Sequence, residues 1–312
     1  MIISASRRTD IPAFYSEWFF NRIKEGYVLV RNPMNAHQVS RIDLSPDLVD
    51  CIVFWTKNPE PMLSRLDELK NYKYYFQFTL TSYDETIEPN VPVKMKLIDT
   101  FINLSNQIGK ERVIWRYDPI ILTDVFTKDC HYKRFEKLAR HLSPYTNKCV
   151  ISFVDLYRKT ERNLKDIEFF PITNCDMEEI AKILSDISLK YGLSIDTCSE
   201  SINLEKYHIG HSKCVDDQLI SKILGAKLTI EKDPNQRETC GCVKSIDIGA
   251  YNTCTHECLY CYANFSKNTV AKNISQHNSK SPLLFGELTE SDQVKDRDMK
   301  SYIDKQMSII NF

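Results

Sequence analysis

The sequence has little glycine and no excess of basic charge. Eight glycines in 312 residues form neither a GxGxxG nor a GxxxxGK[ST] pattern, which disfavours a glycine-rich loop for nucleotide phosphates. Lysine and arginine number 41 against 42 aspartates and glutamates, so the net charge is −1. This balance argues against a dedicated polyanion-binding protein. Nucleic acid is therefore not expected as a partner, although a net charge near zero is compatible with a local basic groove.

Long apolar runs are missing as well. No stretch approaches the ~18 consecutive apolar residues that a membrane-spanning helix requires. The first ten residues, MIISASRRTD, contain no apolar segment of the kind that signal peptides have. These absences predict a cytoplasmic protein with no membrane partner.

Cysteine, in contrast, is abundant, with eleven residues. In a chain without an export signal, cysteines more often ligate metals or act in catalysis than form disulfides. Seven of them lie between residues 198 and 261, so any sulfur chemistry is concentrated there. The other four are interpreted as core packing: Cys51, Cys130, Cys149 and Cys175.

Short apolar segments alternate with helical patterns along most of the chain. Several, such as CIVFW, are apolar throughout, as strands buried on both faces of a parallel sheet are. Helices are expected at 12–24, 93–108 and 177–191, the last two of which stop before a glycine. The alternation predicts an α/β fold with a mainly parallel sheet, forming a partial or complete (β/α) barrel. The predicted strands are 2–6, 51–55, 74–81, 113–117, 149–155, 193–198 and 246–251.

We divide the chain into a barrel at residues 1–265 and a C-terminal extension at 266–312 that packs on it. A β-hairpin near residues 27–44 is expected as an insertion in the barrel, and residues 198–261 form its cysteine-rich segment. Within the extension, the polar stretch 267–282 predicts an irregular loop. The charged stretch 290–309 predicts a surface helix.

The sharpest motif is a C-x3-C-x2-C loop formed by Cys254, Cys258 and Cys261, with Tyr260 directly before the last cysteine. Three thiolates on one short loop can hold a [4Fe–4S] cluster and leave one iron without a protein ligand. This spacing resembles the signature of radical S-adenosylmethionine (SAM) enzymes, in which the open iron binds SAM.

Zinc is the alternative for this loop. A zinc site would be completed by Cys240, Cys242 or His256. Structural zinc more often uses paired CxxC knuckles, so the spacing favours iron–sulfur.

A second group consists of Cys198, Cys214, Cys240 and Cys242. Cys198 ends a predicted strand, and the glycine between Cys240 and Cys242 lets the backbone turn around a metal. Four thiolates would complete a second [4Fe–4S] cluster with no open iron. The alternative is that Cys198 and Cys214 are small buried side chains and that only the CxC pair has a function.

Polar residues follow several predicted strands. In (β/α) barrels the loops after the strands build the active site, so these residues are expected to line one charged mouth. Each also has a plainer interpretation: Asp10 is placed to cap a helix, and Asp118 precedes a turn proline. Glu88, in the loop after the third strand, belongs to the same group. The candidate catalytic residues are Arg8, Asp10, Lys57 and Asp118. The candidate cofactor contacts are Lys57, Thr79, Arg116, Asp118 and Tyr260.

Long motifs resemble a known family. The segments SASRRTDIP, VFWTKNP, WRYDPI, SFVDLY, KDPNQRETCGCVKSIDIGAYNTC and YCYAN are closely similar to the prokaryotic family named domain of unknown function 1848, from residue 2 to about residue 286. That family implies no particular reaction. A more distant similarity is to the spore photoproduct lyase branch of radical SAM proteins, which has a CxxxCxYCY loop. Its strand-end motifs match Thr9-Asp10, Thr56-Lys57-Asn58, Glu88-Pro89 and Asp118-Pro119-Ile120.

The distant resemblance implies a radical SAM enzyme with a [4Fe–4S] cluster. The reduced cluster would cleave SAM to methionine and a 5′-deoxyadenosyl radical, which abstracts hydrogen from an unidentified substrate. SAM and a reducing donor such as flavodoxin or ferredoxin would be its partners. Two alternatives stay open: a zinc or iron–sulfur protein for binding or electron transfer, and a nucleic-acid lesion repair lyase, which the neutral charge weakens.

The order of the motifs differs from that of ordinary radical SAM proteins, where the cysteine loop follows the first barrel strand. Only 51 residues follow Cys261 here, whereas a barrel takes ~200 residues or more. The resemblance therefore implies a circular permutation. Residues 245–251 would take the place of the usual first strand, and residues 1–6 that of the second.

Overall fold

The computed structural model describes residues 1–155, 163–164 and 167–304. Its strands fall into one large sheet and two small ones. In chain order they are β1 (Ile2–Ala5), β2 (Tyr27–Asn32), β3 (Asn35–Asp43), β4 (Cys51–Thr56), β5 (Tyr74–Thr79), β6 (Val113–Ile120), β7 (Leu122–Thr123), β8 (Lys148–Phe153), β9 (Phe169–Phe170), β10 (Ser194–Thr197), β11 (Gly210–His211), β12 (Ile246–Asp247) and β13 (Gln293–Asp296).

The large sheet has eight strands in the order β11-β10-β8-β6-β5-β4-β1-β12, and neighbouring strands are parallel. All seven predicted strands belong to it. The α/β fold with a large parallel sheet is thus confirmed, and its shape is consistent with a partial barrel. Within the described ranges, β11 and β12 are the two edges.

Both faces of the large sheet are buried, which explains the continuous apolar runs. Because successive side chains alternate between faces, Ile3 and Phe54 join the core formed with the helices. Ile2 and Val53 join a second core, which contains Val215, Cys214, Cys240, Cys242 and other side chains of the segment 214–243. The cysteine-rich segment therefore packs against the face of the sheet that is opposite the helices.

The other face of the sheet is covered by helices α1 (Ile11–Phe14), α2 (Ser16–Glu25), α3 (Glu60–Leu63), α4 (Lys94–Ile108), α5 (Lys128–Leu142) and α6 (Asn174–Lys190). α7 (Asp217–Leu224) instead packs through Ile220 into the second core, on the same face as the cysteine-rich segment. α8 (Lys267–Ser275) follows the three-cysteine loop in the chain. The helices expected at 93–108 and 177–191 are present. The one expected at 12–24 is divided at Tyr15, whose φ of −130° is not helical. No helix in the described part of the chain has the length and apolar character needed to cross a membrane.

The hairpin expected near residues 27–44 consists of β2 and β3. Two other expectations were wrong. Residues 267–275 form α8 because Ser266 caps its first turn and Val270 is buried. Residues 293–296 form β13, which pairs in parallel with β3 instead of forming a helix, while residues 305–309 lie outside the described ranges. Cys51 and Cys149 are buried as expected, but Cys175 is exposed at the start of α6. The domain division at residue 265 stays a prediction.

His131 of α5 is a fully buried histidine with two partners. Its Nε2 lies 2.9 Å from the carbonyl oxygen of Ile121, and its Nδ1 lies 2.7 Å from the hydroxyl oxygen of Tyr117. Because a carbonyl can only accept, Nε2 carries the proton and Nδ1 accepts from the tyrosine. Burial lowers the pKa of His131 from 6.5 to about 4, so the folded state holds a neutral imidazole.

This histidine predicts a loss of stability in mild acid. As the pH falls below 6.5, the unfolded chain binds a proton that folded His131 does not take up until about pH 4. Linkage then lowers the free energy of unfolding by about 1 kcal/mol between pH 7.5 and pH 5.5. Urea titrations at both pH values should show this difference in the wild type and in the exposed control His37→Gln. His131→Gln should lack it, and an unchanged pH difference in that variant would contradict the assignment.

Candidate functional site

The carboxyl ends of the parallel strands open into a cavity of about 1210 Å³. Loops after parallel strands meet at one edge of a sheet, which brings residues far apart in sequence together. Every candidate catalytic, cofactor-binding and metal-binding residue from the sequence lines this cavity, whereas Glu88, expected in the same group, does not. These candidates are Arg8, Asp10, Lys57, Thr79, Arg116, Asp118, Tyr260, Cys198, Cys214, Cys240, Cys242, Cys254, Cys258 and Cys261.

The three-cysteine loop begins a few residues after β12, which lies next to β1 at the edge of the sheet. Cys258 is buried, and Cys254 and Cys261 are half-buried. Burial raises the pKa of Cys258 to about 12 and also raises the pKa of Cys254 and Cys261. These thiols are therefore protonated in the absence of a metal, and a metal centre that binds here must displace their protons.

The turn at residues 87–90 holds this loop in place. The Leu259 N–H donates to the carbonyl oxygen of Ile87 at 3.0 Å. Asn90 contributes twice: its side chain donates to the Thr255 carbonyl oxygen at 2.8 Å, and its backbone N–H donates to the next carbonyl at 3.2 Å. The loop that carries the cysteines is thus fixed to a turn that follows β5.

Glu88 is the centre of this turn's polar contacts, with 1% of its surface exposed. Its carboxylate accepts from Lys57 Nζ at 2.7 Å, Lys94 Nζ at 2.6 Å, Thr81 Oγ1 at 2.7 Å and the Tyr260 hydroxyl at 2.5 Å. Burial alone would raise the pKa of Glu88, but the two ammonium groups outweigh it and hold the pKa at about 2. Glu88 therefore positions Lys57 and Tyr260, two of the candidate cofactor contacts, beside the three-cysteine loop.

Asp10 is likewise a connecting residue. Its Oδ1 accepts from the Ala13 N–H at 3.0 Å, which confirms the interpretation of Asp10 as a helix cap. Its Oδ2 lies 2.7 Å from the Lys57 backbone nitrogen and 2.8 Å from His256 Nε2. His256 lies between Cys254 and Cys258, so Asp10 ties the loop after β1 to the cysteine loop.

Arg116 and Asp118 form an ion pair at the end of β6, where Arg116 Nε lies 3.1 Å from Asp118 Oδ1. The buried guanidinium also lies 2.9 Å from Cys214 Sγ and 3.3 Å from the side-chain oxygen of Gln77. Thr79 is the register neighbour of Arg116 on β5. Arg116 thus joins the strand ends to the second cysteine group.

That second group comes together in the structure. Cys198 Sγ and Cys214 Sγ are 3.2 Å apart. Further thiol contacts join Cys214 to Cys242 and Cys242 to Cys240. Among the residues that the structure describes, no three His, Cys, Asp or Glu side chains are arranged as the ligands of a single metal ion. All four cysteines of the second group nonetheless line the same cavity.

Asp247 is a site residue that the sequence reasoning missed. Its carboxylate accepts from the hydroxyls of Ser4 at 2.7 Å and Ser6 at 2.6 Å, and from the N–H groups of Arg7 at 2.8 Å and Gly249 at 3.0 Å. A Cβ at position 249 would collide with Ser6, so only glycine fits this close approach. The signal in the sequence was an aspartate that interrupts the apolar run 246–251.

Arg8 lies next to this cluster with a looser set of contacts. Its Nε is 3.9 Å from Asp247 Oδ1, and its guanidinium lies 5.3 Å from the centre of the Tyr251 ring. Its neighbour Thr9 has a buried hydroxyl with no hydrogen-bond partner among the described residues, and Thr9 lines the cavity. Arg8 and Thr9 therefore offer polar groups to a ligand from the loop after β1.

Fold and site together define an α/β protein whose large parallel sheet carries a charged, cysteine-rich cavity at the carboxyl ends of its strands. More narrowly, the chain belongs to the family described as "Domain of unknown function (DUF1848)", whose model matches residues 2–263. A search of curated proteins gives no match. Among solved structures, one similar chain is described as a "putative alpha-L-fucosidase from Bacteroides thetaiotaomicron VPI-5482". It shares 13% identity with a TM-score of 0.27, over 65% of this chain and 75% of that chain.

Proposed function

We propose that this protein is a radical SAM enzyme, with a [4Fe–4S] cluster on Cys254, Cys258 and Cys261. One observation carries the proposal: the three-cysteine loop and the charged strand ends line the same cavity. At about 1210 Å³, the cavity exceeds the ~300–1,000 Å³ of ordinary small-molecule pockets. It offers room for a cluster, a nucleoside cosubstrate and a further substrate.

The donor set suits this cofactor. Three thiolates leave one iron of a four-iron cluster open, and the open iron would take the amino and carboxylate groups of SAM. When bound, cluster and SAM supply one-electron chemistry that removes a hydrogen atom from a substrate. The buried Thr9 hydroxyl has no hydrogen-bond partner among the described residues, and Thr9 belongs to the cavity wall, so a ligand that reached this hydroxyl would satisfy it.

The protein's own residues hold the components and exclude water. Thr79 and Asp118, on the neighbouring strand ends of β5 and β6, are candidate contacts for SAM. Lys57 and Tyr260 border the same space, but their polar ends are bound to Glu88. They act as fixed walls beside the cysteine loop. The Lys57 ammonium lowers the pKa of Cys258, against the larger effect of burial, which raises it.

The proposal includes a circular permutation. β12 pairs in parallel with β1, with Ile3 opposite Ile246 and Ser4 opposite Asp247. The strand that precedes the cysteine loop is therefore the direct neighbour of the first strand of the chain. This pairing supports β12 in the place of the usual first barrel strand and β1 in that of the second.

An anaerobic assay tests the function. The reconstituted, dithionite-reduced protein should convert SAM to 5′-deoxyadenosine and methionine, measured by liquid chromatography and mass spectrometry. Replacing Cys254, Cys258 and Cys261 together with alanine should abolish this product. The control Cys175→Ala, exposed on α6, should retain it. Stoichiometric zinc without iron in the wild type would overturn the proposal, and iron without SAM cleavage would favour an electron-transfer protein.

A further inference from the structure

We propose that Cys198, Cys214, Cys240 and Cys242 hold a second iron–sulfur cluster with four thiolate ligands. This inference does not depend on SAM chemistry at the first site. It rests on how the fold brings four distant cysteines together and on the groups that point at their sulfur atoms.

The four cysteines come from three separate segments. Cys198 directly follows β10, Cys214 lies between β11 and α7, and the Cys240–Cys242 pair precedes β12. The segment 214–243 folds back across the sheet face that carries the second core, and this brings Cys240 and Cys242 to Cys214. A hydrogen bond from the Val243 N–H to the Val215 carbonyl oxygen at 3.2 Å fixes the CxC pair beside Cys214.

The sulfur atoms also receive hydrogen bonds that thiolates need. Cys242 Sγ accepts from two backbone N–H groups, of Cys214 at 3.2 Å and Val215 at 3.4 Å. Cys214 Sγ lies 2.9 Å from a guanidinium nitrogen of Arg116. Donors of this kind stabilise negative charge on sulfur and are a regular feature of iron–sulfur sites. Four cysteines that served only as apolar packing would not require a buried arginine beside them.

The arrangement favours a cluster over one tetrahedral ion. Among the described residues, no three of these side chains are arranged around a single ion, and all four cysteines line the large cavity. A single ion has to be surrounded by its ligands, whereas a cluster offers each thiolate a separate iron. Four thiols on the wall of an open space therefore suit a group that brings its own irons and sulfides.

Metal analysis of anaerobically reconstituted variants tests this site. The wild type and Cys175→Ala should each contain about eight irons per chain, as two four-iron clusters require. Cys240→Ser/Cys242→Ser should fall to about four. The triple alanine variant of Cys254, Cys258 and Cys261 should also retain about four, with the Mössbauer spectrum of a [4Fe–4S] cluster. This last protein keeps all four proposed ligands, so it tests the site even if the double serine variant does not fold.

The outcomes separate the two proposals. No iron in the triple alanine variant would overturn the second cluster while leaving the first intact. Suppose that the triple alanine variant binds zinc instead of iron, and that the zinc is lost when Cys240 and Cys242 are also replaced. This result would overturn the iron–sulfur assignment in favour of a zinc site. Conversely, about four irons in both the wild type and the triple variant would support the second cluster and contradict the first.

Discussion

Replacing Glu88 with glutamine is expected to destabilise the folded protein by about 3–5 kcal/mol, the cost of breaking a buried ion pair from one side. The amide keeps the size of the carboxylate but removes its charge. Lys57 and Lys94 would then share a buried site without a counter-ion, 2.7 and 2.6 Å from the former carboxylate. Urea or thermal unfolding measures the loss, and the exposed neighbour Glu85→Gln is the matched control, expected to change little.

The same change should loosen the three-cysteine loop. Tyr260, in the cysteine loop, loses a charged hydrogen-bond acceptor. Glu88 also belongs to the 87–90 turn, whose Ile87 carbonyl accepts from Leu259 of the same loop. We therefore expect Glu88→Gln to retain less iron after desalting than Glu85→Gln does. Wild-type stability together with wild-type iron content would show that Glu88 is not the link between this turn and the loop.

The contribution of Glu88 to the free energy of unfolding falls as the pH is lowered. Its folded pKa of about 2 lies below its ordinary value of 4.5, so its contribution to stability is complete above pH 4.5. That contribution is lost as the pH falls from 4.5 towards 2. His131 acts in a separate, higher window between pH 6.5 and about 4. Acid unfolding of wild type and Glu88→Gln should therefore converge only at the lower end of the acid range.

The large sheet was predictable because its strands are buried on both faces. Such strands have continuous apolar sequences, and every apolar run identified in the sequence forms a strand of the large parallel sheet. Strand polarity then placed residues such as Lys57 and Arg116 at one edge. The place of the candidate residues in the cavity wall could thus be predicted from the sequence without knowing any contact.

Contacts made by the polar side chains could not be predicted in this way. Nothing in the sequence shows that the Glu88 carboxylate accepts hydrogen bonds from both Lys57 and Tyr260. The sequence also does not show that Asp247 of β12 binds Ser4 of β1. The approach of the CxC pair to Cys198 could not be predicted either, because it depends on how the segment 214–243 folds back. α8 and β13 were missed for a related reason: tertiary packing outweighs the weak local preferences of polar segments.

Replacing Asp10 with asparagine should separate a catalytic role from a positioning role. The carboxylate is 5% exposed and accepts three hydrogen bonds, from Ala13, Lys57 and His256. An amide has one oxygen for these donors, so at least one is left unsatisfied at a cost of about 1–3 kcal/mol. Since His256 lies inside the cysteine loop, the loss should also lower the iron content of the reconstituted protein.

The measurement compares unfolding free energy, iron content and SAM cleavage in Asp10→Asn, His256→Gln and the double variant. If Asp10 positions the loop through His256, the two single changes will overlap, and the double variant will lose less than their sum. Asp124→Asn, at an exposed aspartate, is the control and should match the wild type in all three measurements. If Asp10→Asn instead keeps its stability and iron but loses SAM cleavage, its carboxylate acts on the bound ligands, and the candidate catalytic role is the correct one.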